Sequence, residues 1–335
     1  MYAGLCEYTD SRNKVVLKRI NEGADMKEMK RVPVILDTDP GVDDFFAIVL
    51  MGAFDDIIDF KGITAMGGNN KTAVTSRNAL DILHLIHRDD VPVYYGADSF
   101  LKEPFGAPVA DHHGHNGIGD ITIPHTDRTV EEIKAWDAIA REAECCDGNL
   151  VLVTIAPLTN IALTLQKYPG VKEKISKIVM MGGSTGKGNI TPYAEANIGH
   201  DPYAADVVFA SGIPVDMVGL NATIQAPVHR SLFDPLSEHT EKAVREALQG
   251  LIDFRKGEPM HDALAVSTLI DDSIITWKNF EGHVETQAAE KRGKVWLQET
   301  EEYKGLRCAM SVNLEKYHAV IAEMLKRYPE GKAYE

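Results

Sequence analysis

Positive charge is scarce in this chain: 35 lysines and arginines stand against 50 aspartates and glutamates in 335 residues, a formal net charge of −15. Gripping a nucleic-acid backbone rests mainly on Lys and Arg, so the balance argues against a nucleic-acid partner and favours a small neutral ligand. Cysteine is sparse too, and Cys6, Cys145, Cys146 and Cys308 have neither metal-ligand nor disulfide-scaffold spacing. No apolar run is long enough to cross a membrane, and the N-terminus has no apolar signal core. No membrane partner and a cytoplasmic location are the resulting expectations. Repeats and low-complexity segments are also missing, while 44% hydrophobic content gives ample core for one large domain or two moderate ones.

Residues 1–31 stand apart as a mostly polar extension with one amphipathic patch around Val15, Val16, Leu17 and Ile20. From Val32 onward, apolar strand candidates alternate with helical patterns. Strands are expected at 32–38, 58–66, 91–96, 149–156, 176–182 and 213–220, and helices at 43–53, 71–88, 130–144, 158–167, 201–211 and 237–254. A late β pair at 293–300 and 307–312 precedes a helix at 313–327. This alternation predicts an α/β fold: an open, mostly parallel, Rossmann-like sheet with helices on both faces, in a single domain over 32–335. In such sheets ligands bind outside the carboxyl ends of the strands.

At the first of those ends, Val34-Ile-Leu-Asp-Thr-Asp-Pro-Gly-Val-Asp-Asp-Phe-Phe-Ala-Ile-Val49 gathers Asp37, Asp39, Asp43 and Asp44 between two apolar stretches. Pro40-Gly41 reads as a sharp turn, which puts Asp43 and Asp44 near a helix N-terminus. Helix capping accounts for one or two such acids, not four. The rest call for a compensating cation, a shared proton or full solvation, and a hard divalent metal is the simplest compensation.

Other strand ends also carry polar groups. Asn69 and Asn70 follow the second strand. His112, His113 and His115 lie in a Gly-rich loop without the regular ligand set of a structural zinc site. Gly182-Gly-Ser-Thr-Gly-Lys-Gly-Asn189 looks like a phosphate-binding loop but has Met181 and Gly188 where that motif needs Gly and Ser or Thr. Asn189, Glu195 and Asn197 suit sugar hydroxyls, although each alone is an ordinary turn former or cap. In Pro259-Met-His-Asp-Ala-Leu-Ala-Val266, Asp262 is either an N-cap or a further metal carboxylate beside His261.

The run Asp37-Thr-Asp-Pro-Gly-Val-Asp-Asp44, the stretch from Met181-Gly-Gly through Asn197, Pro157-Leu-Thr-Asn-Ile-Ala162 and His261-Asp-Ala-Leu-Ala-Val266 together resemble the inosine-uridine-type nucleoside hydrolases. The resemblance runs from about Val32 to the C-terminal helix. It implies the nucleoside hydrolase fold and hydrolysis of the N-glycosidic bond of ribonucleosides, with one calcium ion per subunit at the base of the ribose pocket. It also implies a small-molecule nucleoside as partner and a dimer or tetramer. Carried over by position, Asp39, Asp44, Asp262 and the main-chain carbonyl of Ile155 are the expected metal ligands. Asp43, Asn69, Asn189, Glu195 and Asn197 form the ribose set, with Met181 beneath the sugar. Asp37 is a supporting carboxylate around the ligands, and His113 faces the base or the ribose. Asp39 is the expected base toward water, and His261 the candidate acid toward the leaving base.

Two features depart from the family pattern. Gly219-Leu-Asn-Ala-Thr-Ile-Gln225 has Asn221 and Ile224 where many relatives have an Asp and a His. Residues 238–260 lack Tyr and Trp and offer only Phe254, Arg255 and Lys256 toward a base. Two alternatives accompany the hydrolase reading: a catalytically silent or weak ribose- or nucleoside-binding protein, and a metal-dependent phosphatase with an Asp-x-Asp nucleophile.

Overall fold

The computed structural model describes residues 31–107, 110–233 and 239–330. The N-terminal extension, including the patch at Val15 to Ile20, lies outside the described residues. The first half of the chain runs β1 (Val32–Thr38), α1 (Val42–Ala53), β2 (Ile58–Ala65), α2 (Thr72–Leu85), β3 (Val93–Tyr95), α3 (Ala110–His113), β4 (Glu131–Lys134), α4 (Ala135–Cys145), β5 (Leu150–Thr154), α5 (Thr159–Lys167) and β6 (Ile175–Met181). It continues through α6 (Ala196–His200), α7 (Pro202–Phe209), β7 (Val215–Val218), α8 (Leu220–Thr223), α9 (Arg230–Phe233), α10 (Lys242–Arg255), α11 (His261–Ile270), β8 (Ile275–Val284), β9 (Val295–Thr300), β10 (Leu306–Val312) and α12 (Leu314–Lys326).

All ten strands join one sheet in the order β4-β3-β2-β1-β5-β6-β7-β10-β8-β9. β1 to β7 are parallel, β10 is parallel to β7, and β8 and β9 run antiparallel at one edge. Alternation along the central strands explains the two layers of helices. Val34 and Leu36 of β1 pack with α1, α11 and α12, whereas Ile35 packs on the other face with α4, α5 and α7. The chain leaves β1 toward β2 on one side and later returns through β5 on the other. The strand order therefore reverses at β1/β5, and the crevice outside their carboxyl ends is the place for a ligand.

The expected elements appear with shifted ends, and three differences are informative. Residues 131–134 form an edge strand rather than the start of a helix: Glu131-Glu-Ile-Lys134 is charged and half-exposed and pairs only with β3, so it lacks the apolar signature of a central strand. The late β pair is not a pair. β8 lies between β9 and β10, and its Asn279, Gly282 and charged residues, on a largely solvated strand, hid it. The expected helix from 237 begins at Lys242, with 237 and 238 outside the described residues.

Candidate active site

β1 ends at Thr38 and α1 starts at Val42, so Asp37, Asp39, Asp43 and Asp44 are delivered within one turn to the β1/β5 crevice, all of them buried. Gly41 caps α1, and Asp44 reaches back to its N–H at 2.9 Å, half of a capping box. Asp44 also accepts from Thr38 Oγ1 at 2.5 Å, from Asn69 Nδ2 at 3.2 Å and from Asp39 N at 3.3 Å. Asp39 Oδ2 accepts from Asn69 N at 2.7 Å, whereas its Oδ1 is buried with no partner among the described residues. Asp262 enters from the first turn of α11, and oxygens of Asp43, Asp44 and Asp262 come within 4.8 Å of one another.

Two glycines set this geometry. A Cβ on Gly41 would collide with His113 Nδ1 and lie 2.7 Å from Asn69 Nδ2, and one on Gly68 would collide with Asp39 Oδ2. Glycine is the residue that permits so close an approach of side chain to backbone.

Asp37 lies beneath the cluster with both oxygens used. Oδ1 accepts from Thr64 Oγ1 at 2.7 Å and Asn160 Nδ2 at 2.8 Å, and Oδ2 from Thr154 Oγ1 at 3.3 Å. On the β6 side, Asn197 Nδ2 donates to Ile155 O at 3.2 Å and Met181 O at 3.0 Å, drawing the ends of β5 and β6 together. Glu195 caps α6, with both oxygens taken by the backbone N–H groups of Gly183, Asn197 and Ile198 at 2.8–3.1 Å. Asn189 is exposed on the loop after β6, tied only through its backbone N–H to Ala194 O. His113 Nδ1 accepts from Val42 N at 3.2 Å, so its proton is on Nε2 when the ring is neutral. His261 Nδ1 meets Thr223 Oγ1 at 2.7 Å.

Electrostatically the crevice is under pressure. Burial raises Asp37 to about 6, Asp44 to about 7 and Glu195 to about 7, with Asp43 adding to the shift of Asp44. Asp39 and Asp262 go well above the usual range, through burial first and then through neighbouring carboxylates. Asp43 is the exception: burial pushes it up, but the charge of Arg255, then His113 and His261, pulls it below its ordinary value. Burial lowers His113 to about 4 and lowers His261. Every donor atom in the Asp43/Asp44/Asp262 cluster is a hard oxygen; Asp39, one of the expected ligands, is not among its members, and its Oδ1 is buried without a partner among the described residues. That set fits a hard divalent cation, which would relieve the repulsion.

Residues 34–319 match the family model described as inosine-uridine preferring nucleoside hydrolase. The chain belongs to this family. It is an enzyme, a nucleoside hydrolase that cleaves the N-glycosidic bond of ribonucleosides. Among its relatives is the pyrimidine-specific ribonucleoside hydrolase RihA of Escherichia coli, 36% identical over 273 residues that cover 78% of this chain and 87% of that protein. The Salmonella arizonae protein of the same name is 35% identical over 315 residues, 89% of this chain and 99% of its own length. The solved purine-preferring ribonucleoside hydrolase of Gardnerella vaginalis superposes with a TM-score of 0.81 at 32% identity, covering 88% of this chain and 99% of that one.

In this nucleoside hydrolase the structure places the two residues of the first departure. Asn221 is a tie, accepting from Thr185 N at 3.2 Å and donating to Ala309 O at 2.7 Å, and Ile224 is 61% exposed. Sequence reasoning did not single out the threonines behind the acids. Thr64 of β2 and Thr154 of β5 are the direct register partners of Asp37 on either side. Their signal was a lone hydroxyl near the end of an otherwise mostly apolar strand. Thr38 and Thr223 carried no such mark.

Proposed function

We propose that this nucleoside hydrolase depends on calcium and acts at the β1/β5 crevice. The observation that carries the reading is the convergence of Asp43, Asp44 and Asp262; the buried Oδ1 of Asp39, without a partner among the described residues, supports it. Asp39, Asp44, Asp262 and the Ile155 carbonyl hold the ion in this reading. The donor set supports it: oxygen ligands including a carbonyl suit the flexible coordination of calcium, and the Ile155 carbonyl receives one side-chain hydrogen bond, leaving it a lone pair. Asp44, which would be a ligand, accepts its longest contacts from Asn69 Nδ2 and Asp39 N. Bound there, a hard divalent cation would supply Lewis acidity for activating water and stabilising oxygen ligands.

The chain's own groups do the rest. Asp39 is the group that accepts a proton from water. Asp43, Asn69, Asn189, Glu195 and Asn197 take the ribose hydroxyls, and Met181 packs beneath the ring. This carboxylate and amide shell stabilises the positive charge that grows on the ribosyl group as the bond to the base lengthens. His261, oriented by Thr223, is the candidate donor to the leaving base. His113 presents Nε2–H on the base side, and Asp37 supports the ligands from beneath.

Residues 32–335 act as one hydrolase domain in this reading, supported by the single ten-stranded sheet. The location is cytoplasmic and the assembly a dimer or tetramer, which light scattering on the purified protein tests. Among the described residues no helix is long and apolar enough to cross a membrane. The function itself is tested by reducing-sugar release from inosine, uridine, adenosine, guanosine and cytidine before chelation, after chelation and after calcium add-back. Chelator-sensitive release restored by calcium is expected. Calcium binding without release from any of the five would favour the silent nucleoside-binding alternative.

A further inference from the structure

Arg255 stands in the last turn of α10 with its side chain only 9% exposed. A buried guanidinium is costly unless its donors are used. Here they are used poorly: Nη2 reaches Pro259 O and Glu258 Oε2 at 3.4 Å each, Glu258 is largely exposed, and Nε is buried with no acceptor among the described residues. Its contact with Pro259 O ties the guanidinium to the segment that leads into α11, two residues before His261. No hydrogen bond joins Arg255 to Asp43 among the described residues, and Nε remains a spare donor. The ribose hydroxyls already have acids and amides assigned to them. The group still without a partner is the departing base.

We propose that Arg255 is a specificity-determining residue whose guanidinium donates to a carbonyl oxygen of the leaving base and so favours carbonyl-bearing bases such as hypoxanthine and uracil over adenine. The inference rests on the hydrolase reading of the crevice. As the C1′–N bond breaks, its electron pair passes to the base. In a lactam base the charge spreads onto the carbonyl oxygen, where a permanent cation stabilises it. The hydroxyl of water bonds to C1′ and the remaining proton ends on the base, so no further reactant is required. A site with a buried donor awaiting a carbonyl discriminates strongly against an analogue lacking one, because the donor is then left unpaired.

The test compares initial rates on inosine, adenosine, uridine and p-nitrophenyl riboside for the calcium-loaded full chain and its Arg255→Gln and Arg255→Lys variants. Arg255→Gln is expected to lower kcat/KM for inosine and uridine by about 10- to 100-fold, the worth of a hydrogen bond to a charged group. Hydrolysis of p-nitrophenyl riboside, whose leaving group needs no such help, should stay within about threefold. The inosine-to-adenosine preference should collapse with it, and Arg255→Lys should restore part of the preference. Equal losses on all four substrates, or an unchanged inosine-to-adenosine ratio, would overturn the inference while leaving the hydrolase reading intact. A wild-type chain inactive on every riboside would overturn both.

Discussion

Asp216, near the start of β7, and Asp39, just beyond the end of β1, are both buried carboxylates of one sheet, built on opposite terms. Asp216 receives Arg307 Nε at 2.5 Å, Arg307 Nη2 at 2.9 Å and Lys177 Nζ at 2.8 Å, drawn from the two flanking strands β10 and β6. Burial alone would raise its pKa, but those hydrogen bonds and charges bring it below the ordinary range. Asp39 keeps one oxygen without a partner amid further acids, and its pKa goes up. At the amino ends of the strands charge is cancelled within the chain and serves stability. At the carboxyl ends it is left uncancelled, a cost in stability that makes room for an ion and a reacting sugar.

The sharpest way to break this contrast is Asp39→Ala. Activity should fall about 10⁴-fold, the upper end for a positioned general base, because metal affinity is lost with it. The melting temperature of the metal-free protein should hold or rise, since a repelling charge is gone. Near-normal turnover in an activity assay would end the metal-and-water reading. His261→Ala should cost about 10²-fold or more on natural nucleosides and far less on p-nitrophenyl riboside. Parallel losses on the two substrates would remove it from the leaving-group side.

Asp216→Asn probes the other end. It should destabilise the protein by about 2–3 kcal/mol, less than the roughly 3–5 kcal/mol for a fully buried pair because Arg307 is partly exposed. kcat/KM should stay within about threefold of wild type below the melting transition. A large kinetic defect in the folded variant would mean that the two ends are coupled.

The smallest expected effect is a pH dependence. Asp37, Asp44 and Glu195 have folded pKa values of about 6, 7 and 7, above the ordinary carboxylate values near 4. The folded metal-free protein therefore binds more protons than the unfolded chain, and their stabilising contribution is full below about pH 4 and lost as pH rises through about 7. Calcium should cancel the loss, so the gap in melting temperature between loaded and chelated protein should widen from pH 5 to pH 8. A gap independent of pH would show that the acids are relieved by something other than the ion.

Much of this contrast was legible in the sequence, though unevenly. β1 and α1 were readable because Val34-Ile-Leu36 and Phe45-Phe-Ala-Ile-Val49 are apolar with a Pro-Gly turn between them, and the acids stood out against that background. Two outer strands were less legible: Glu131-Glu-Ile-Lys134 and Ile275–Val284 are largely solvated, and periodicity weakens where one face meets water. Asp216 and its partners lie on three separate strands, a juxtaposition no local pattern encodes. Arg255 was visible only as one of few large side chains in its segment, because the shortage of acceptors around it is a property of the packed structure.

Gly68 carries a lesson for transplanting this chemistry. The orientation of Asp39 depends on the absence of a single carbon on a neighbouring loop, where a methyl group would come within 2.1 Å of its Oδ2. A scaffold given the acidic motif without that void would acquire the carboxylate and lose its aim. The same void means that Gly68→Ala, a change of no charge and little polarity, would displace the Asp39 carboxylate, so a survey of natural variants scored by chemical similarity would pass over it.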